Sequence, residues 1–231
     1  MTRQFEQEIN ELKASLLTMG SHAEAAVTQV VKALMERDDD LARAIRENDT
    51  VLDRFEIEID EMSIQLLSKA PLATDLRLIT VAMKISQNLE RVGDEVCKIA
   101  KRSIDLSQEP QLKPYVDIPR MATIGLEMLK GALDAFVQRE PDKARAVIPR
   151  DQEVDQINKQ LHRELASFMI ERPATISRCL NLMVISKSLE RIADHATNIA
   201  EEVVYLYEAR DIRHTGKGAA LSPVPTESGL R

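Results

Sequence analysis

Apolar residues recur along this chain at steps of three and four, and in two stretches they do so without interruption. Leu78, Ala82, Ile85, Leu89, Val92, Val96 and Ile99 make one seam; Leu182, Ile185, Leu189, Ile192, Ala196, Ile199, Val203 and Leu206 make another. A sustained 4-3 alternation keeps the apolar stripe on one side of a helix, the pattern of helices packed nearly parallel in a bundle. The breaks between helices are equally legible. Arg37-Asp38-Asp39-Asp40 supplies candidate N-caps, and Glu140-Pro141-Asp142 does the same with a proline suited to a first helical turn. Turns follow at Ala70-Pro71 and Arg172-Pro173. Three helices per half result. Between the halves, residues 109–119 carry prolines at 110, 114 and 119 and read as a linker.

The second half repeats the first. At a spacing of 102, Met19 meets Met121, Arg37 meets Arg139, Arg43-Ala44 meets Arg145-Ala146 and Pro71 meets Pro173. After those prolines the spacing falls to 100: Met83/Met183, Ser86/Ser186, Leu89/Leu189 and Ile99-Ala100/Ile199-Ala200. The predicted fold is therefore all-α, two tandem three-helix bundles from an internal duplication, over residues 1–109 and 119–210. Residues 211–231, with Gly216, Gly218, Pro223 and Pro225, have little to bury and read as a disordered tail.

Composition agrees and narrows the function. Seven glycines, no tryptophan and 3% aromatics in 231 residues suit helices. A net charge of −7, with no basic cluster interleaved with aromatics, argues against nucleic acid. No apolar stretch approaches the ~18–20 residues of a membrane span, and the charged amphipathic N-terminus lacks the run of a signal peptide. Cys97 and Cys179 stand alone in helical apolar patterns and read as free thiols in a reducing, cytoplasmic compartment.

What the chain duplicates most pointedly is acid. Asp49 and Asp53 return as Asp151 and Asp155; Glu90 and Asp94 return as Glu190 and Asp194. Residues four apart share a helix face, so each pair stacks two carboxylates at a cost of roughly 0.2–0.5 kcal/mol. With 38 acids in the chain, about six such pairs arise by chance. A single pair means nothing; matched pairs in both halves mean more. Spacing alone leaves a metal role and a solvated charged face equally open. Glu90 and Asp94 lie about 100–170° around their helix from its seam, so they point away from the bundle axis. Asp49 and Asp53 flank the seam of the preceding helix, so the two pairs can converge on a surface groove, and Asn198 and Glu201 continue the second stripe. Carboxylate oxygens favour hard cations. Arg91 and Arg191 are placed to pair with the acids, or to contact an anion on a metal. The chain has no Glu-x-x-His, no phosphate-binding loop, no nucleophile elbow and no zinc pattern, and nothing in it resembles an active site.

Asp75-Leu76-Arg77, Leu89-Glu90-Arg91-Val92-Gly93-Asp94 and the segment from Leu189 to Glu202 resemble the signature segments of the PhoU family. The resemblance runs from about Phe5 to about His214. It implies tandem three-helix bundles whose acidic motifs hold multinuclear clusters, with iron foremost and zinc, manganese, magnesium or calcium as alternatives. It also implies a non-enzymatic negative regulator of phosphate uptake and the phosphate regulon. In that role it would couple the Pst transporter ATPase to a PhoR-type histidine kinase at the inner face of the membrane, without inserting into it. A homodimer is expected. Lys98 and Lys101 stand where the second half has Asn198 and Glu201, so the first site is the poorer in ligands. The competing reading is a metal-dependent enzyme or a metal-storage protein using the same clusters.

Overall fold

Both apolar seams are buried along nearly their whole length in the computed structural model, which describes residues 2–48, 50–69 and 72–213 (backbone only for residues 2 and 3). Leu78 alone among the seam residues is half-buried. Eight α-helices carry the described residues: α1 (Thr2–Glu36), α2 (Asp39–Glu47), α3 (Thr50–Leu67), α4 (Ala73–Ser107), α5 (Asp117–Gln138), α6 (Pro141–Val147), α7 (Asp151–Glu171) and α8 (Ile176–Glu208). The first seam lies on α4 and the second on α8. Each half is a three-helix bundle whose middle member is divided, into α2 and α3 in the first half and α6 and α7 in the second.

That division is a departure from the single middle helix the sequence suggested. In the second half, Pro149 removes a backbone donor, and the chain passes through a 3₁₀ turn at Ile148–Arg150. In the first half, α2 closes on Asn48, whose N–H donates to the Ala44 carbonyl. The helix starts match more closely. Asp38 caps α2, its side chain accepting from the Leu41 N–H at 2.9 Å. Glu140 makes no capping bond, but Pro141 opens α6 as expected.

The duplication extends to backbone conformation. Arg37 and Arg139 both adopt the left-handed region, with φ of 56° and 58°. Each lets the next N–H turn back onto a carbonyl five residues earlier, Asp38 to Ala33 and Glu140 to Ala135. The Arg37 guanidinium then reaches the carbonyls of Leu106, Ser107 and Glu109, satisfying and neutralising the C-terminal end of α4.

The two bundles share one continuous core because α4 and α8 pack against each other. They run antiparallel: Lys84 pairs with Glu202, Asn88 meets His195, and Glu95 pairs with Arg191. Helices α1 and α5 also meet, with Gly20 against Leu133. At the end of the described residues, Ile212 packs on the core and Arg213 pairs with Glu202 and Asp211. The remainder of the predicted tail, residues 214–231, lies outside the described residues.

One packing detail yields a prediction. A Cβ on Gly93 would sit 2.7 Å from the Leu52 Cδ1. The equivalent pair in the second half is Ala193 with Val154, one residue larger and the other smaller. Gly93→Ala should therefore be held back by overpacking in the wild type, but in a Leu52→Val background it should stabilise, by up to about 1 kcal/mol from helix propensity. A double-mutant cycle in urea should give a coupling of roughly 1 kcal/mol. Additive effects would show that Leu52 simply moves aside.

Candidate functional site

Two acid clusters lie across corresponding helix pairs. In the second half, α7 supplies Asp151 and Asp155, and α8 supplies Glu190 and Asp194. These carboxylates lie close enough for their charges to raise the proton affinity of Asp151 and Asp194. Asp194 is pushed up to about 6, first by desolvation and then by the charges of Asp151 and Glu190. Its side chain still touches solvent at the residue level, so the desolvation is local crowding, not deep burial. Asp151 is raised as well, by desolvation and then by Asp155 and Glu190. The lysines attend the cluster: Lys187 pairs with Glu190, and Lys159 with Asp155 at 3.2 Å.

Glu190 departs from the outward, exposed disposition the helical wheel suggested, being only 8% exposed. The seam residues bury one side of α8, and the packing of α7 covers the next. The Asp151 Oδ1 is buried with no hydrogen-bond partner, an expensive state for a carboxylate oxygen. Asn158, three residues beyond Asp155 on α7, is likewise buried with an unpartnered Oδ1.

In the first half, Asp53 on α3 faces Glu90 and Asp94 on α4. Asp49 lies outside the described residues. Glu56, three residues beyond Asp53 on α3, joins this group. Its proton affinity is raised by desolvation, then by Asp60, with smaller contributions from Asp53 and Asp94. Glu90 is raised by desolvation and by Asp94, and lowered somewhat by Arg91. Position 56 corresponds to Asn158, so the two stripes align residue for residue.

Asn198 and Glu201 do not join the acids of α7. Asn198 donates to Asn88 Oδ1 at 3.2 Å across the α4–α8 interface, beside His195, whose Nδ1 lies 3.0 Å from the same oxygen. Glu201 lies farther along α8, within the electrostatic reach of Arg213.

The arginines divide differently from their symmetric positions. Arg91 stays on its own helix, 3.3 Å from Asp94 and 3.4 Å from Glu90. Arg191 instead crosses to Glu95 on α4 at 3.2 Å. Burial alone would raise the Glu95 carboxyl, but hydrogen bonds from Lys98, Ser188 and Arg191 outweigh it and hold the pKa down.

Among the described residues, no three His, Cys, Asp or Glu side chains stand close enough together to hold a metal ion as they are. The donor chemistry nevertheless fits a hard cation: oxygen ligands only, crowded against their own charge, with the Asp151 Oδ1 orphaned in the second cluster. Mutual repulsion keeps such carboxylates apart while lysines take up part of the charge.

The comparisons with known proteins follow the same duplication. The model of the PhoU domain matches residues 16–103 and 118–203. The chain belongs to the PhoU family. It is 40% identical over 218 residues to a phosphate-specific transport system accessory protein PhoU homolog of Pseudomonas aeruginosa, covering 94% of this chain and 90% of that one. A relative of the same description from Zymomonas mobilis is 39% identical, with 94% and 92% covered. The crystal structure of PhoU from Pseudomonas aeruginosa superposes with a TM-score of 0.86 at 40% identity, over 89% of this chain and 100% of that chain. That of the phosphate transport system regulatory protein PhoU from Streptococcus pneumoniae gives 0.85 at 29% identity, over 90% and 99%. The tandem-bundle architecture is thus the family's fold, and each matched segment lies within one of the two bundles.

The raised Asp194 pKa gives a second prediction. Its folded-state pKa of about 6 lies above the ordinary carboxyl value of about 3.9, so the folded state binds this proton more tightly. The resulting stability is present at low pH and is lost as pH rises from about 4 through 6. In chelator-treated protein, Asp194→Asn should raise the thermal midpoint at pH 7.5, by about 2–4 °C if relief of repulsion is worth 1 kcal/mol, and should be nearly silent at pH 4. A gain equal at both pH values would mean the carboxylate charge is not the cause.

Proposed function

We propose that this chain regulates phosphate uptake through protein contacts, restraining the phosphate-starvation response when phosphate is plentiful. The observation that carries the proposal is its end-to-end match to relatives of nearly its own length named as accessory proteins of phosphate-specific transport. In the finer reading, the partners are the Pst transporter ATPase and a PhoR-type histidine kinase, and the protein acts as a homodimer in the cytoplasm, at the inner face of the membrane through those partners. No helix of the described residues is long and apolar enough to cross a membrane, which suits docking to a transporter over insertion beside it.

The acid clusters fit this role as metal sites. Asp151, Asp155, Glu190 and Asp194 would hold the second cluster, and Asp53, Glu56, Glu90 and Asp94, with Asp49, the first. Bound iron or another hard cation would supply positive charge at a surface otherwise dense in carboxylates. The residues themselves then present a fixed, rigid face on α3–α4 and α7–α8, with Glu190 anchored in the wall of the bundle.

Cells lacking the protein should express phosphate-starvation genes in phosphate-rich medium and accumulate excess phosphate. An alkaline phosphatase reporter and uptake of labelled phosphate measure both. Ordinary repression in the deletion strain would remove the regulator reading and favour storage or catalysis.

A further inference from the structure

A cavity of about 290 Å³ opens in the first bundle between α1, the α2–α3 break and α4. Ile45, Leu52, Gly93 and Val96 form its buried floor. His22, Gln29 and Asn48 line it from exposed positions at its mouth. The second half puts bulk where the first leaves space. Ala26, on the cavity wall, corresponds to Met128, and Gly93 corresponds to Ala193; both of the larger side chains are fully buried. The polar mouth is equally particular to the first half, because His22 corresponds to the core residue Ile124 and Gln29 to Gly131.

The lining decides what such a space can take. None of its eleven residues is Asp, Glu, Lys or Arg, although 30% of the chain is charged. The part of a ligand that enters is therefore uncharged, since an ion would lose hydration there without a countercharge. The volume sits near the lower end of small-molecule sites, roughly 300 Å³, the scale of a flat bicyclic ring. Asn48 spends its backbone N–H on Ala44 and its carbonyl on Val51, which leaves its side-chain amide for the cavity. An amide offers a donor and an acceptor side by side. That pair matches the N6/N7 edge of adenine, whereas a guanine edge calls for Arg or Lys and a cytosine amino group for a carboxylate. The His22 ring, 5.4 Å from the Phe55 ring centre and tilted 36° to it, adds a flat surface on which a base stacks.

We propose that this cavity binds an adenine ring, free or as the base of a nucleoside or nucleotide, with the ring on the apolar floor and its N6/N7 edge toward Gln29 and Asn48. The inference goes beyond the regulator reading and needs no metal. Its consequence is regulatory. Val51 and Leu52 wall the cavity directly ahead of Asp53, and Gly93 lies directly ahead of Asp94. An occupant there braces α3 against α4 and sets the spacing of the acids that those helices carry.

The test is calorimetric titration of the full-length protein with adenine, adenosine and ATP, each in turn. Wild type should bind at least one of them saturably, and the tightest tells a free base from a nucleoside or nucleotide. The guanine counterpart of that ligand should bind at least about tenfold more weakly, because its edge offers acceptors alone. Ala26→Met, which places in the cavity the side chain that the second half carries, should abolish binding. Gln29→Ala with Asn48→Ala should weaken it about tenfold through two lost hydrogen bonds. Circular dichroism verifies the fold of each variant, and the double variant, altered only at exposed positions, decides the matter if Ala26→Met does not fold. No saturable binding of any of the three ligands overturns the proposal, as does equal affinity for the guanine counterpart or undiminished affinity in a folded variant. None of these results alters the deletion phenotype, so the regulator reading stands or falls separately.

Discussion

Glu190→Ala should empty the second cluster of metal while leaving the fold intact, and Asp155→Ala should do much the same. Glu190 is buried in the wall of α8 with its carboxylate committed to the cluster and to Lys187. Its removal would take away a proposed ligand whose position is fixed by packing and leave Lys187 facing Asp151 and Asp194. Asp155 is half-buried and shared with Lys159. Loss of even an outer-shell partner commonly weakens a metal site 10–100-fold, so loss of a direct oxygen ligand should exceed that range. Elemental analysis of protein purified without chelator measures the effect, and circular dichroism verifies the fold. Equal metal in wild type and both variants would leave the acids as a solvated charged face.

Chelation of the wild type should lower its thermal midpoint markedly. A ligand present at about 100 times its dissociation constant stabilises the folded state by roughly 2.7 kcal/mol per site, which for a chain of this length is roughly 5–11 °C. Here the effect has a local cause: the acids that a cation would bridge repel one another without it. Asp194→Asn should therefore change sign between the two forms. It should stabilise the stripped protein by removing repulsion and destabilise the loaded protein by removing a ligand. Scanning calorimetry of wild type and variant, each with and without chelator, makes the comparison. A variant effect of one sign in both forms would mean that Asp194 does not touch the metal.

The helical fold was legible because its signal is periodic. Residues such as Ile85 and Ile192 repeat a 4-3 spacing that only a packed helix explains, and both are fully or almost fully buried. The left-handed turns at Arg37 and Arg139 were not read from the sequence, although the two positions match in the duplication. The division of the middle helices was missed although Pro149 announced one of the two breaks. A proline in a helical pattern removes a donor wherever it falls, and the apolar seam on either side concealed it.

The acids of the second cluster were found through repetition, not through spacing. Glu56 was overlooked because its counterpart is Asn158, so a search for duplicated carboxylates passes over it. Its place beside Asp53 on the same helical face was the available signal. The reach of Arg191 to Glu95 was not legible at all. Helical spacing offered Asp194 as the nearer partner, and only the antiparallel packing of α4 on α8 brings the two repeats into contact there. Tertiary pairing of this kind leaves no trace in local sequence.

The duplicated acids are proposed to carry this protein's regulatory role. The most direct measurement is a phosphate-starvation reporter in cells whose only copy carries Glu90→Ala with Glu190→Ala, grown with abundant phosphate, alongside cells carrying wild type and no copy. With the variant expressed and folded, reporter activity should equal that of the deletion strain. Repression at the wild-type level by that same folded variant would contradict it.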